Sequence, residues 1–230
     1  SRRIAEAIGQ RLVEPNPPEF LIMNPITADG WLEQVAMDSA RTELVRTLQA
    51  IDHANRFHIF VPHTSGGTPI YVHAKLTIID DEVLRIGSAN MNNRSMGLDS
   101  ECDVFIDGAR PANSHVGPMI RDLRHSLLAE HCGIAEEEVP ALLEQHGSMV
   151  DMIKALPREG KHVRPLDLPE LNEAEKVIAE TALLDPERPE EMFEAIDRRG
   201  LFGRPGLLHR ARQRRRAKRA RKAELRSKNG

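Results

Sequence analysis

Three consecutive acids, Asp80-Asp81-Glu82, separate two apolar runs, Tyr71 to Ile79 and Val83 to Ile86. The runs alternate and the acids favour a tight turn, so the pattern predicts two strands joined as a hairpin. This feature limits the folds open to the chain more than any other. Further strands are expected at Phe20 to Met23, closed by Asn24-Pro25, at Phe57 to Val61, and at Cys102 to Ile106. Residues 1–14 read as a helix stopped by Pro15. Asp38 to Ala54 carries Leu44, Val45, Leu48 and Ile51 on one helical face. Met119, Ile120, Leu123, Leu127 and Leu128 mark another amphipathic helix.

After about Gly133 the strand pattern stops. Val139 to Leu156, Glu173 to Leu184 and Pro189 to Asp197 read as helices between Pro- and Gly-bearing loops. The expected fold class is α/β, a mixed sheet flanked by helices, followed by a helical carboxy-terminal extension. The expected division is 1–133 for the α/β part, 134–203 for the helical extension and 204–230 for a basic tail. From Arg204 onward there are twelve Lys and Arg against one acid, Glu224, although the whole chain has a net charge of −3. An acidic body therefore carries a basic tail. Aromatic residues are 3% of the chain, so the core must be largely aliphatic.

No apolar run approaches the roughly 18 residues of a membrane-spanning helix, and no signal peptide is visible. The chain begins at Ser1 with Ile4, Ala5 and Ile8 already in helical spacing, which suggests a piece of a longer protein. Cys102 and Cys132 lack metal-ligand spacing and read as buried free thiols.

The chemistry concentrates in the hairpin. His73-Ala74-Lys75 is followed by Asp80 and then by Gly87-Ser88-Ala89-Asn90, the pattern H-x-K-x4-D-x6-G-S-x-N. Residues two apart on a strand share a face, so His73 and Lys75 should project into one site. The returning strand should bring Gly87, Ser88 and Asn90 beside them. A histidine able to attack or to donate a proton, a fixed cation and neutral donors are the set that phosphoryl transfer needs.

This pattern resembles the signature of the phospholipase D superfamily. Its surroundings extend the likeness: Ile70-Tyr71-Val72-His73-Ala74-Lys75, then Ser88-Ala89-Asn90-Met91-Asn92-Asn93-Arg94-Ser95-Met96, then Asp99-Ser100-Glu101. The Asn-Asn-Arg-Ser-Met stretch resembles the phospholipase branch rather than the cardiolipin synthases. Residues 4–12 and Gly30-Trp31-Leu32-Glu33 fit bacterial members. The likeness covers about residues 19–133; residues 134–230 carry no assignable motif.

The resemblance implies two such motifs facing each other. One histidine forms a phosphohistidine, the other protonates the leaving alcohol and then activates water, and no cofactor or metal is required. A single motif in this context implies the carboxy-terminal half. His73 is then expected as general acid and base, with the nucleophile role as the alternative. Lys75 and Asn90 are expected to bind phosphoryl oxygens with help from Ser88. Asp80 is the motif's acid, read mainly as pinning the turn. Glu101 is expected to orient the histidine of the opposite motif, with Asp99 as its rival. Arg94 reads as an ion-pair donor, His63 as an ordinary loop histidine with the substrate mouth as the alternative, and Trp31 as a lip, core or surface residue.

The implied partners are a glycerophospholipid at a membrane surface, and the missing amino-terminal half or a second copy of the chain. The basic tail could contact anionic lipid. The acidic body argues against nucleic acid. The expected location is soluble or peripheral, in a bacterial cytoplasm. Two other readings stay open: a phosphodiesterase of the nuclease type working as a homodimer, and an inactive piece with a binding role.

Overall fold

The computed structural model describes residues 1–26, 31–157 and 162–182. The helix expected at Pro189–Asp197 and the basic tail lie outside these residues. Helix α1 (Arg2–Leu12) leads to strand β1 (Phe20–Met23), helix α2 (Trp31–Ile51) and strand β2 (Phe57–Pro62). β1 and β2 are parallel, with Phe20 opposite Phe57 and Met23 opposite Phe60. Parallel neighbours need a long crossover, and α2 provides it. α2 begins at Trp31, ahead of the expected Asp38.

The alternation of β1 and β2 divides two cores. Phe20, Ile22, Phe57 and Ile59 meet Leu12, Val45 and Leu48 of α1 and α2. Leu21, Met23 and Phe60 meet Leu128, Ala129 and Cys132 of helix α4 (Gly117–Cys132), and then Val139, Val150, Met152 and Ile153. The sheet is thus covered by helices on both faces. Val139, Val150, Met152 and Ile153 are among its most completely buried residues, so residues on both sides of Gly133 share one core.

Two expectations for the later part of the chain change. Strands do not stop at Gly133: β6 (Val163–Pro165) pairs antiparallel with β2, completing the order β1-β2-β6. The helix expected over Val139 to Leu156 is two helices, α5 (Val139–His146) and α6 (Met149–Ala155). Gly147 stops the first in a left-handed conformation (φ 75°), and the Ser148 side chain caps the second by accepting the Asp151 N–H at 3.0 Å. The last described helix is α7 (Glu173–Ala182).

The hairpin belongs to a second, antiparallel sheet of β3 (Leu76–Ile79), β4 (Val83–Gly87) and β5 (Asp103–Asp107). Its turn has two successive left-handed residues, Asp80 (φ 51°) and Asp81 (φ 55°), closed by the Glu82 N–H on the Ile79 carbonyl at 2.9 Å. Asp tolerates this conformation better than most side chains. The side chain that ties the turn to the rest of the molecule is that of Asp81. Arg124 of α4 donates to both of its oxygens, at 2.6 and 2.7 Å.

The Arg124 hydrogen bonds hold the Asp81 carboxyl below its ordinary value, against the opposing effect of burial. A carboxylate depressed in the folded state adds stability above its unfolded value of 3.8. That stability fades as the pH falls through the lower folded value. Asp81→Asn should therefore lower the melting temperature at pH 7, and the variant and parent curves should converge below pH 3.8. Thermal melts across that range check this; a constant difference at every pH would exclude the linkage.

Candidate active site

β3 begins at Leu76, not at the expected Tyr71, and the reason lies in β4. The Gly87 N–H donates to the Lys75 carbonyl at 3.1 Å, and there the ladder ends. The next amide, Ser88 N–H, turns to the other neighbour and donates to the Cys102 carbonyl at 3.1 Å. Residues 71–74 therefore run without a strand partner. His73 and Lys75 still come together. Lys75 Nζ donates to His73 Nε2 at 2.9 Å and to the His73 carbonyl at 2.8 Å.

An ammonium has no lone pair, so Nε2 must accept here and a neutral imidazole carries its proton on Nδ1. His73 is exposed and Lys75 half-buried, so the imidazole faces an arriving anion while the lysine stem is partly covered. The Tyr71 ring lies on the same imidazole, with centroids 6.0 Å apart and planes 19° from parallel. Sequence reading took Tyr71 only as part of the motif's surroundings. Its place two residues before His73 on an extended segment was the available signal.

The second part of the motif is held by β5. Gly87 is paired with Asp103. A Cβ at Gly87 would stand 2.5 Å from Asp103 Cγ and 2.7 Å from Asp103 Cα, so only glycine fits. The close approach is to the neighbouring strand. Asp103 also accepts Arg85 at 3.0 Å and the Ala89 N–H at 3.3 Å, and Arg85 donates to the Ala89 carbonyl at 2.6 Å. Arg85 is 8% exposed and Ala89 3%. This clamp fixes the backbone immediately before Asn90, and none of it was anticipated from the sequence. A charge within each of two adjoining apolar strands was its signal.

Ser88 and Glu101 are brought together. Ser88 Oγ donates to Glu101 Oε2 at 2.5 Å and accepts the Cys102 N–H at 2.9 Å. The Ser88 proton is thus directed to Glu101, which an incoming phosphoryl oxygen would have to displace. Asn90 is exposed and makes no hydrogen bond among the described residues. Asp80 is exposed in the turn. Asp99 accepts Arg94 Nε at 2.8 Å, so it is engaged elsewhere. Asn92 caps the short helix α3 (Asn93–Gly97) by accepting the Ser95 N–H at 2.7 Å, which shapes the chain just after Asn90.

His63 does not line an open mouth. It is 5% exposed, and its Nδ1 donates to the Val61 carbonyl at 2.9 Å. Cys132 is buried as expected but Cys102 is exposed. The Trp31 side chain lies outside what is described. Among the described residues, no three His, Cys, Asp or Glu gather as a metal site, and no helix is long and apolar enough to cross a membrane.

Residues 2–157 match the family model described as Phospholipase D. Among curated proteins, phospholipase D alpha 1 of Arabidopsis thaliana is 43% identical over 143 residues, covering 58% of this chain and 16% of the relative. Phospholipase D alpha 1 of Zea mays is 29% identical over 143 residues, with the same coverage. Phospholipase D zeta 1 of Arabidopsis thaliana is 36% identical over 84 residues, 33% of this chain and 8% of the relative. The chain thus spans at most 16% of the length of these relatives. No solved structure matches it.

Proposed function

The chain belongs to the phospholipase D family, and from that premise we propose that it supplies the second-motif half of a phosphodiesterase acting on glycerophospholipids. The observation that carries the reading is the meeting of Lys75 Nζ with His73 Nε2, beside a glycine-serine turn held to the Lys75 carbonyl. A cation and a proton-transferring imidazole are then offered to one phosphoryl group.

The steps follow from the donors. The diester's phosphate draws the Lys75 ammonium from His73 and binds it together with the Asn90 amide. Nε2, freed from Lys75, takes up a proton from bulk solvent. The histidine of a second motif attacks phosphorus, and His73 passes its proton to the leaving alcohol oxygen as the P–O bond breaks. Water, or another alcohol, then gives its proton to His73 and attacks the phosphohistidine, releasing phosphatidic acid or a new diester. Glu101, held by Ser88, is suited to orient the second histidine, which either a preceding segment or a second copy of the chain would supply. Asp80 acts through the turn. The carboxy-terminal-half and bacterial-branch readings rest on the motif's surroundings and residues 4–12, and a cytoplasmic location goes with them. The basic tail suits contact with anionic lipid, and the excess of acids in the body disfavours nucleic acid.

The test supplies the second motif, as the longer protein or as paired copies, with phosphatidylcholine vesicles. Choline should be released without added metal, and ethanol should divert product to phosphatidylethanol. Failure to release a head group from choline, ethanolamine or glycerol phospholipids would sink the reading, and nicking of plasmid DNA by the same sample would favour the nuclease type.

A further inference from the structure

The stretch around His73 is the least supported part of the motif. Residues 71–74 have no ladder partner, and the Val72 N–H only reaches back to the Ile70 carbonyl at 3.1 Å. Among the described residues, the His73 imidazole makes one hydrogen bond, from Lys75, and one ring contact, with Tyr71. Lysine has a long flexible stem and follows whatever orientation the imidazole takes. A nearly parallel aromatic ring does something different: it restricts the plane in which the imidazole can lie. The separation of 6.0 Å and tilt of 19° belong to an offset stack.

We propose that Tyr71 is a positioning residue for His73, whose ring is the wall that sets the imidazole plane and so aims Nε2 at the phosphoryl group. This rests on His73 being the proton-transferring residue. The two residues stand on the same side because they are two apart on extended backbone. Tyr71 is 51% exposed, so its hydroxyl needs no buried partner and the ring face is the part that acts. A phenylalanine should serve as well, and an aliphatic residue of similar bulk should not. Proton transfer depends steeply on aim, so misorientation should lower kcat while binding, which depends on Lys75 and Asn90, changes little.

Tyr71 is the single tyrosine of the 230 residues, which gives the experiment a clean signature. Tyr71→Phe and Tyr71→Leu are compared with the parent, with the second motif supplied. Kinetics on a short-chain phosphatidylcholine should show kcat lowered roughly 10-fold in the Leu variant and KM within about twofold, with the Phe variant restored to the parent. In parallel, the His73 ring protons, assigned by His73→Asn, should carry a ring-current shift that the Leu variant loses and the Phe variant keeps. Parent-like kcat in the Leu variant, or identical His73 ring signals in all three proteins, would overturn the proposal. If the parent hydrolyses no phospholipid, the functional reading has failed. The ring signals then still decide whether Tyr71 orients His73.

Discussion

His73→Ala should reduce head-group release from phosphatidylcholine by about 10,000-fold, yet should spare one step on a p-nitrophenyl phosphodiester. General acid catalysis contributes up to about 10,000-fold when the leaving group is a poor one, which corresponds to roughly 5.4 kcal/mol of barrier. Choline is an alkoxide without a donated proton and cannot leave. p-Nitrophenolate leaves unprotonated, so the attack by the opposite histidine no longer needs His73. The second step does, because water must still lose a proton. The variant should therefore release p-nitrophenol in a burst equal to the number of sites and stop with a phosphohistidine on the opposite motif. Rapid-mixing absorbance and acid-labile phosphate on the protein measure the two halves. If His73 is the nucleophile, no burst appears with either substrate. Lys75→Met should behave differently, lowering both substrates together by about 1,000-fold, since its charge serves the phosphoryl oxygens whatever the leaving group.

Much of the site was legible in the sequence because its chemistry is local. His73 and Lys75 are two residues apart, and an extended backbone brings them together even where the expected strand is not formed. The parts that sequence reading missed depend on partners far along the chain. Ser88 meets Glu101, and Arg85 meets Asp103, only because β4 and β5 pair with Gly87 opposite Asp103. No local period encodes that register. The same reasoning explains the turn. Three acids in a row announce it, but which one is tied down depends on where Arg124 of α4 falls, and that is Asp81. In the first sheet, Phe20 to Met23 and Phe57 to Pro62 are apolar enough to announce themselves. β6 is three residues, two of them Arg164 and Pro165, and exists because the edge of β2 lies open to it. Gly147 divides α5 from α6 by its backbone conformation rather than by any break in the apolar spacing.

Gly87→Ala should destabilise the protein by about 3 kcal/mol or more, the upper range for forcing an atom into packed surroundings. Urea unfolding measures it. The added methyl would lie 2.7 Å from Asp103 Cα, a backbone atom in the paired strand β5. It would also lie 2.5 Å from Asp103 Cγ, and that carboxylate cannot swing aside cheaply because Arg85 and the Ala89 N–H hold it. Relief must come from separating β4 from β5, which also withdraws Ser88 from Cys102 and Glu101 and loosens the Ala89 backbone just before Asn90. Activity should thus fall further than the loss of folded protein explains. Truncating the side chain in Gly87→Ala/Asp103→Ala should not rescue stability, since the clash with the backbone of residue 103 persists and the largely buried Arg85 loses its carboxylate. Gly66→Ala is the control. Its added methyl would meet nothing closer than Thr64 Oγ1 at 3.8 Å, so it should stay within about 0.5 kcal/mol of the parent. Equal stability of the two alanine variants would mean that the glycine of the motif serves the incoming phosphate, and that the closeness of β5 is incidental to it.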